Sequence, residues 1–353
     1  MFCVYERWGW LGGRATPVLP RPISPSAEDI MYSQHSIGVV IPAYNEEELI
    51  ESTLYSIPSY VDRVYVVDDA STDGTGGKIQ NLRDLDRITY IRHDRNRGVG
   101  AAIATGYKQA LQDGVDVVAV MAGDNQMDPR YLPGLLDPIV WKMADYTKGN
   151  RLIHRTLRKG MPRWRSFGNS ILTYITKMSC GYFEMIDPQN GYTAISRQTL
   201  SRLNLDEIYP RYGYLNDMLA KLNVLGCRIM DVVIPARYGE EKSKIRYGFY
   251  ILQVSWLLLK TFLWRLYMKY FILNFHPLII FYVSGFLLSI VGMFSMIYAV
   301  YQKLFIPGSE LFIHGILSLM LFMIGLQFVL FGILFDIQNR QSSSAYHILQ
   351  RIK

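Results

Sequence analysis

The C-terminal third of the chain contains two long apolar runs without a charged side chain, Leu278–Val300 and Leu311–Phe335. Each run exceeds the roughly 20 residues that a helix needs to cross a bilayer. Buried helices of soluble proteins rarely stay uncharged over such lengths, so both runs are predicted to span a membrane. The segment between them, Tyr301–Glu310, is long enough only for a tight hairpin. Both ends of the pair are therefore expected on one side of the membrane.

Positive charges flank these runs unevenly, which predicts an orientation. Lys303 alone lies between the runs, whereas the other basic residues of this region flank the pair: Lys260, Arg265, Lys269, Arg340, Arg351 and Lys353. Cytoplasmic flanks of spanning helices carry the excess of lysine and arginine. We therefore expect a multi-pass protein of the cell membrane whose main domain and C-terminal tail are cytoplasmic. Residues 246–273 combine apolar residues, Trp256, Trp264 and charges, which is typical of a helix lying in the membrane interface.

Composition and cysteine spacing exclude several classes of protein. The formal charge is +7, but the basic residues gather beside the apolar runs and form no block of the kind that binds nucleic acid. A membrane surface or an anionic substrate is the better partner for this charge. Cys3, Cys180 and Cys227 lie too far apart in sequence for a CxxC metal site and predict a reducing compartment. Residues 1–35 hold no signal-peptide core and are expected to form a loosely ordered extension.

From Ser36 onward, short apolar strands alternate with helical segments. This alternation predicts an α/β domain with a mostly parallel sheet and helices on both faces, in which ligands bind beyond the carboxyl ends of the strands. The predicted strands are Ile37–Ile41, Arg63–Val67, Ile88–Arg92 and Val115–Met121, and the predicted helices are Glu46–Ser56 and Gly100–Gln112. The chain is thereby divided into an extension (1–35), an α/β domain (36–245), interfacial helices (246–273), two transmembrane helices (274–340) and a tail (341–353).

Polar clusters follow three of the predicted strands: Pro42–Glu48 (PAYNEEE), Val66–Thr75 (VVDDASTDGT) and Met121–Pro129 (MAGDNQMDP). Carboxylates packed this densely require a cation or several hydrogen-bond donors. The third cluster offers Asp124, Gln126 and Asp128 within five positions, a set of oxygen ligands that suits a hard cation. Ordinary helix caps and tight turns are the alternative interpretation of each cluster.

Taken together with Asn96–Gly106 (NRGVGAAIATG), these clusters resemble the family 2 inverting glycosyltransferases, which have the GT-A fold, a Rossmann-like nucleotide-sugar domain. The closest resemblance is to the polyprenyl-phosphate glycosyltransferases, of which dolichol-phosphate mannose synthase is the best known. It extends over about Ile37–Lys244. The resemblance implies a donor nucleotide pocket formed by Pro42, Ala43, Tyr44, Glu46, Asp69 and Asp124.

The same resemblance implies a divalent cation. Asp124 and Gln126 would face the donor diphosphate and its Mg²⁺ or Mn²⁺. The family usually has Asp-x-Asp at this point, whereas Ala122 here replaces the first acid, and Asp128 is the residue that would compensate. A protein that binds a nucleotide sugar without catalysis is one alternative that this departure leaves open.

Further motifs imply a site for the acceptor: Lys148–Arg151 (KGNR), Arg163–Asn169 (RWRSFGN) and Asp187–Ser196 (DPQNGYTAIS). A guanidinium group binds phosphate oxygens in pairs, so arginines here suit a phosphate, although each one alone could be a solvated surface charge. Arg151 and Arg165 are the expected catalytic arginines. The expected ligands of a lipid phosphate are Arg163, Arg165, Ser243 and Lys244, the last two matching the family's loop before the membrane segment.

Asp217 lies where many members of the family carry the acid that deprotonates an acceptor hydroxyl. A lipid phosphate is already ionised and needs no strong base. The expected reaction is inverting transfer of mannose, glucose or an N-acetylhexosamine from a GDP- or UDP-sugar to dolichyl or undecaprenyl phosphate, in a glycosylation pathway. The alternative is elongation of a lipid-linked glycan with Asp217 as the general base. A nicotinamide site is disfavoured because Ile103 occupies the third small position of the dinucleotide fingerprint.

Overall fold

A mixed sheet of seven strands forms the centre of the N-terminal domain. The computed structural model describes residues 32, 34–82, 86–151, 163–235, 247–273, 276–306 and 312–352. The strands are β1 (Ile37–Ala43), β2 (Arg63–Asp68), β3 (Ile88–Arg92), β4 (Val117–Val120), β5 (Tyr146–Asn150), β6 (Thr193–Ser196) and β7 (Ile229–Val233). Their order is β3-β2-β1-β4-β6-β5-β7, and β6 alone runs antiparallel to its neighbours. The predicted mostly parallel α/β fold is confirmed.

Helices cover both faces of this sheet and continue into the C-terminal third. They are α1 (Ile50–Tyr55), α2 (Thr75–Asn81), α3 (Val99–Gln112), α4 (Leu132–Val140), α5 (Arg163–Cys180), α6 (Arg197–Leu200), α7 (Tyr214–Val224), α8 (Tyr247–Tyr267), α9 (Leu278–Phe305) and α10 (Phe312–Ile352). Successive residues of β1 point to opposite faces. Val40 packs with Tyr107 of α3, whereas Ile41 belongs to a second core that includes Leu54 of α1 and Leu135 of α4.

The predicted end of the first strand at Ile41 is wrong, because the strand continues through Pro42 to Ala43. β1 pairs with β2 through Ala43, but its pairing with β4 ends at Val40. Successive residues of a strand direct their backbone groups to opposite neighbours, and the carbonyl of Ala43 accepts a hydrogen bond on the β2 side. Pro42 therefore faces the side where β4 has ended, so its missing N–H interrupts no pairing. The strand delivers the loop after Ala43 directly to the edge of the sheet.

Both apolar runs form long continuous helices. Leu278–Phe305 and Ile313–Asn339 have mean hydropathies of 2.2 and 2.4 and are long enough to cross a membrane. The core helix of a soluble protein would be mostly buried, whereas here only 22% and 17% of the apolar windows are buried. These helices indicate a membrane protein. The backbone of α10 remains helical to Ile352, so the predicted tail continues this helix.

Glycines allow α9 and α10 to approach closely. A Cβ atom added to Gly285 would lie 2.8 Å from the backbone nitrogen of Val329. One added to Gly292 would lie 2.5 Å from the backbone nitrogen of Phe322, and one at Gly325 would overlap the backbone of α9. Small residues serve this purpose in membrane helices, because close backbone contact replaces the missing hydrophobic driving force. The hairpin is therefore a packed unit.

This packing makes a testable prediction for α10. Gly325→Val should destabilise the hairpin by about 1–3 kcal/mol, the usual result of forcing extra carbons into a filled contact. Gly315→Val is the matched control in the same helix, since no atom lies within 4 Å of a Cβ atom there. Thermal unfolding in detergent should show a lower Tm for the first variant alone, and equal Tm values would contradict the close packing.

The helix α8 has two different faces. Val254, Leu258 and Phe262 are buried against the protein, whereas Trp256 and Leu263 are exposed. An exposed apolar face beside the hairpin is consistent with the predicted interfacial position, which stays a prediction. One flanking charge behaves differently from expectation: Arg265 is fully buried and pairs with Asp336, so it is not a free charge at the membrane surface.

Candidate functional site

The loops after β1 and β2 are tied together at the carboxyl edge of the sheet. Asn45, which has a φ of 56°, donates its backbone N–H to Ser71 Oγ at 3.0 Å and accepts from the Thr72 N–H at 2.9 Å. The backbone N–H of Glu46 donates to Thr75 Oγ1 at 2.9 Å. Tyr44 is left 45% exposed beside them. The structure thus brings Pro42, Ala43, Tyr44, Glu46 and Asp69 to one edge, and their contact with a nucleotide stays a prediction.

Asp69 is almost completely buried and organises a third loop. Its Oδ1 accepts the N–H of Arg97 at 2.8 Å, and its Oδ2 accepts the N–H of Gly98 at 2.7 Å. His93 Nδ1 lies 2.7 Å from Oδ1, and the other nitrogen of this imidazole lies 3.0 Å from Thr105 Oγ1. The carboxylate therefore holds the loop before α3 in place. A nucleotide that bound to Asp69 would donate to a carboxylate that already accepts hydrogen bonds from this loop.

The glycines of the NRGVG segment accommodate the chain itself. Gly98 has a φ of +98°, and a Cβ atom there would lie 2.5 Å from the carbonyl oxygen of Pro210. A Cβ atom at Gly100 would overlap the carbonyl oxygen of Tyr209, and the N–H of Ala101 donates to the Pro210 carbonyl at 3.1 Å. Close approach of the segment that leads into α7 explains these glycines, so no dinucleotide is needed to account for them.

Asp124 and Gln126 lie in the turn that follows β4. The Gln126 N–H donates to Asp124 Oδ1 at 3.0 Å, and Asn125 between them has a φ of 55°. Both side chains are half-buried, and desolvation raises the pKa of the Asp124 carboxyl. A desolvated carboxylate beside an amide oxygen fits Mg²⁺ or Mn²⁺, which prefer oxygen ligands. Among the residues described, no group of three or more His, Cys, Asp or Glu could hold a metal ion, so such a cation would need the donor's phosphates.

The contacts of Asp128 argue against its replacing the missing first acid. Its carboxylate caps the short helical turn at Pro129–Tyr131, accepting the Arg130 N–H at 3.0 Å. The same carboxylate accepts from Arg130 Nε at 3.1 and 3.0 Å and from Nη2 at 2.6 Å. An acid already engaged by a cap and a guanidinium is poorly suited to a cation. The turn interpretation explains Asp128, while Asp124 and Gln126 remain as metal candidates.

On the other side of the sheet edge, the end of β5 is bound to the loop before β6. Arg151 Nε lies 2.9 Å from Asp187 Oδ2, and Asp187 is 2% exposed. Lys148, which is fully buried, donates to the Asn190 carbonyl, while Asn190 Nδ2 donates to the Gly149 carbonyl at 2.8 Å. The two acceptor-side motifs found in the sequence are therefore one structural unit.

The burial of Lys148 predicts a pH-dependent stability. Desolvation lowers the pKa of Lys148 to about 8 although Asp187 and Asp231 lie nearby. The unfolded chain keeps this proton up to pH ~10.4, so between these values the unfolded state binds more protons and stability rises with pH. Below pH ~8 both states are protonated and the penalty is constant. Across pH 8 to 9.5, wild-type unfolding free energy should rise relative to Lys148→Met by about 1 kcal/mol per unit. Parallel curves in calorimetry would contradict the assignment.

Asp217 is held in the first turn of α7. Its Oδ2 accepts the Tyr209 N–H at 2.9 Å and lies 2.7 Å from Lys221 Nζ. The side chain is 16% exposed. These contacts fix the segment that packs on Gly98 and Gly100, which is sufficient reason for an acid here. Its role as a base stays a prediction.

Some predicted residues cannot be placed in the site. Ser243 and Lys244 lie outside the described residues. Arg163 and Arg165 lie in the first turn of α5, but their side chains are outside the described part of the chain. Their roles remain predictions from the motif alone.

Sequence reasoning missed His93, and it named Lys148 only as the first residue of the KGNR motif, without a role of its own. His93 follows β3 directly, so the rule that polar residues after strands form the site would have included it. Lys148 lies within β5 and is surrounded by buried residues, and its charge gave no sign of burial in the sequence. Asp231 of β7 was also missed, and its Oδ2 accepts from the Ile186 N–H at 2.7 Å and from Asn150 Nδ2 at 3.0 Å.

Comparison with known proteins identifies a matching family and similar enzymes. The family described as glycosyl transferase family 2 matches residues 38–204. A UDP-N-acetylglucosamine–dolichyl-phosphate N-acetylglucosaminyltransferase of Methanococcus voltae is 30% identical over 220 residues, covering 58% of this chain and 86% of the relative. An undecaprenyl-phosphate mannosyltransferase of Micrococcus luteus is 32% identical over 199 residues, covering 55% of this chain and 81% of the relative.

A solved structure has the same fold. Glucosyl-3-phosphoglycerate synthase from Mycobacterium tuberculosis, in complex with Mn²⁺, UDP-glucose and phosphoglyceric acid, is similar with a TM-score of 0.51 and 22% identity. The match covers 74% of this chain and 85% of the synthase. At this identity the likeness establishes the fold, and the predicted GT-A fold is confirmed.

Proposed function

Because the chain belongs to glycosyl transferase family 2, we propose that it moves a hexose from a nucleotide diphosphate sugar to a polyprenyl phosphate at the membrane surface. The predicted family is confirmed, and the chain is a glycosyltransferase. Transfer to a lipid phosphate is supported by the relatives, whose names specify dolichyl phosphate and undecaprenyl phosphate. The sugar, the nucleotide and the membrane face are parts of this proposal.

The observation that carries the proposal is the continuous packing that links the sheet-edge site to α8, the proposed interfacial helix. The tip of Leu257 in α8 occupies the space where Gly213 lacks a side chain. Gly213 immediately precedes α7, and the adjoining Tyr209–Pro210 segment packs on Gly98 and Gly100. A nucleotide-sugar site connected in this way to an apolar helix suits an acceptor whose head group lies at a bilayer. Soluble acceptors would not require such an arrangement.

In the proposed reaction, the donor nucleotide lies against the loops after β1 and β2, at Pro42, Ala43, Tyr44, Glu46 and Asp69. A Mg²⁺ or Mn²⁺ ion held by Asp124 and Gln126 would neutralise charge on the departing diphosphate. Glucosyl-3-phosphoglycerate synthase has Mn²⁺ with UDP-glucose, which supports a divalent cation by analogy of fold.

The acceptor side is proposed to bind an ionised phosphate. Arg151 is fixed by Asp187, and Arg163, Arg165, Ser243 and Lys244 complete the proposed set. A phosphate oxygen of the lipid attacks the anomeric carbon, and the bond from that carbon to the donor's β-phosphate oxygen breaks. The electron pair leaves with the nucleoside diphosphate, and configuration is inverted. No proton has to be removed from the attacking oxygen.

We propose that α9 and α10 cross the membrane as a hairpin with the catalytic domain in the cytoplasm. GDP-mannose, UDP-glucose and UDP-N-acetylhexosamines are the proposed donors. The test uses purified protein in phosphatidylglycerol vesicles with undecaprenyl phosphate, Mg²⁺ and each radiolabelled donor in turn. Thin-layer chromatography should show one lipid-linked monosaccharide with one donor. A longer glycan would favour elongation instead, and no lipid product with any donor would overturn the proposal.

Transfer to a lipid phosphate and elongation at a glycan hydroxyl predict different effects of replacing Asp217. A general base contributes about 100-fold to 10,000-fold to a rate, so its loss in an elongating enzyme would reduce kcat by that factor. We expect Asp217→Asn to retain kcat within about 10-fold, because an ionised phosphate needs no base. Thermal unfolding serves as the control for loss of the contacts to Lys221 and Tyr209. A loss beyond 100-fold in a folded variant would favour the elongation mechanism.

A further inference from the structure

An acidic residue lies inside the second apolar helix. Asp336 belongs to the span Ile313–Asn339 and is only 2% exposed. Asp336 directly follows the uncharged run and lies near the end of the span, and a buried carboxylate is costly unless it has a close partner. Asp336 plays no part in the sheet-edge site, so its presence requires a separate explanation.

Asp336 binds the interfacial helix through a buried guanidinium. Arg265 of α8 is fully buried, and its Nη2 and Nη1 lie 2.7 and 3.2 Å from the two oxygens of Asp336. The hydroxyl of Tyr270 donates to Asp336 as well. This is the bidentate geometry that makes arginine–carboxylate pairs directionally specific. It fixes the orientation of α10 relative to α8.

The same guanidinium also binds the catalytic domain. Arg265 Nε donates to the Ser179 carbonyl at 3.0 Å, and Nη2 donates to the Met178 carbonyl at 3.1 Å. Both carbonyls belong to the last turn of α5. Gly181, with a φ of +74°, leaves the space for the guanidinium, since a Cβ atom there would overlap it. One side chain thus joins the catalytic domain, the interfacial helix and the membrane hairpin.

The position of α5 makes this junction relevant to the reaction. Its first turn carries Arg163 and Arg165, while its last turn is held by Arg265. The helix has 18 residues and is therefore about 27 Å long. A tilt of about 10° at the anchored end would move the first turn by about 5 Å over that length. Misplacement of a reacting group by about 1 Å can reduce a rate about 100-fold.

We propose that Asp336 is a positioning residue: with Arg265 it sets the height and tilt of α5 above the bilayer, so that the acceptor-side arginines meet the lipid phosphate. This inference rests on the proposed function. Stability alone does not require the pair, because apolar residues often replace a buried ion pair without loss of stability. An apolar contact between the same helices would not fix their relative orientation as the bidentate pair does.

The test compares Asp336→Asn with the wild type in phosphatidylglycerol vesicles containing undecaprenyl phosphate. We expect kcat/KM for the lipid to fall about 10-fold to 100-fold, while KM for the nucleotide sugar is unchanged. Asp336→Glu, which keeps the carboxylate, should recover part of the loss. Ser318→Ala is the matched control, since it removes a hydrogen bond of 2.6 Å to Ser295 that lies entirely within the hairpin. Equal lipid kinetics in Asp336→Asn and wild type would overturn the proposal.

The double variant Arg265→Met, Asp336→Leu separates positioning from stability. Asp336→Asn leaves Arg265 as an unpaired buried charge and should lower Tm, whereas the double variant removes both charges and should have a Tm close to that of the wild type. Its lipid kcat/KM should still be low. Full recovery of the lipid kinetics would show that the pair only stabilises the fold, which contradicts the proposal.

A distance measurement tests the same inference without catalysis. Cys180 and Cys227 are buried, so Cys3 is replaced by Ser to leave two reactive thiols, Tyr174→Cys in α5 and Leu334→Cys in α10, both at exposed positions. Spin labels there should give one narrow distance distribution when Asp336 is present. Adding Asp336→Asn should broaden it, and an unchanged distribution would overturn the inference. If no donor yields a lipid product, the proposed function fails while this distance result still stands on its own.

Discussion

Asp124→Ala should reduce sugar transfer by about 100-fold to 1,000-fold, the range found when a preorganised charge-stabilising group is removed. Asp124 is half-buried in the turn after β4, and one of its oxygens accepts the Gln126 N–H. The carboxylate is therefore held in place before any ligand binds. Excess EDTA should abolish activity of the wild type, and added Mn²⁺ should restore it. The residual activity of the variant should no longer respond to either treatment.

The matched control for this prediction is Asp128→Asn. Asp128 lies in the same loop, but its carboxylate is engaged by Arg130 and by the cap of the turn at Pro129–Tyr131. This variant should lose some stability and keep its response to Mn²⁺. Full activity of the wild type in excess chelator would show that the enzyme needs no divalent cation. If metal dependence were lost in Asp128→Asn but kept in Asp124→Ala, the metal ligand would be Asp128 and the proposed assignment to Asp124 would be wrong.

Arg151→Ala should reduce both the stability of the protein and the transfer of sugar to the lipid. It leaves the buried Asp187 carboxylate without its ion pair. Breaking a fully buried pair destabilises a protein by about 3–5 kcal/mol; Arg151 is partly exposed, so we expect about 2 kcal/mol. Loss of a proposed phosphate ligand should also reduce kcat/KM for the lipid by about 10-fold or more. Calorimetry and the vesicle assay measure the two effects separately.

Arg228→Ala is the comparison for Arg151→Ala. Arg228 pairs with Asp145 at 2.5 Å, and both side chains are about a quarter exposed. This pair lies at the start of β5 rather than at its end, so its loss should lower Tm without changing the lipid kcat/KM. Equal loss of transfer in both variants would show that the effect of Arg151 is only structural. Wild-type kinetics in a folded Arg151→Ala protein would remove Arg151 from the acceptor site.

The parts of the site that could be predicted from the sequence are those set by local order along the chain. Polar residues that directly follow β1, β2 and β4 had to meet, since parallel strands end at one edge. Asp69 and Asp124 were found by this rule, as were the long uncharged runs of the hairpin. These features depend on short-range pattern and length, which a single sequence contains.

The parts that could not be predicted depend on residues distant in sequence. Arg265 and Asp336 are 71 positions apart, and Lys148 and Asn190 are 42 apart. No local feature of the sequence distinguishes a basic residue exposed beside a membrane segment from one that is buried in an ion pair with an acid far away in the sequence. The direction of β6 and the continuation of β1 through Pro42 likewise follow from which neighbour lies alongside, and that is a property of the folded sheet.

The unbroken helix α10 also has a consequence for measuring topology. Its 41 residues give a rod of about 61 Å, whereas the hydrocarbon layer is about 30 Å thick. Asp336 contacts Arg265 where the rod passes the catalytic domain. In the proposed orientation, the remaining turns to Ile352 lie in the same water phase as that domain. A reporter fused after the last residue would therefore share a compartment with the donor sugar. Its fluorescence in intact cells reads out the proposed orientation directly, independently of any assay of transfer.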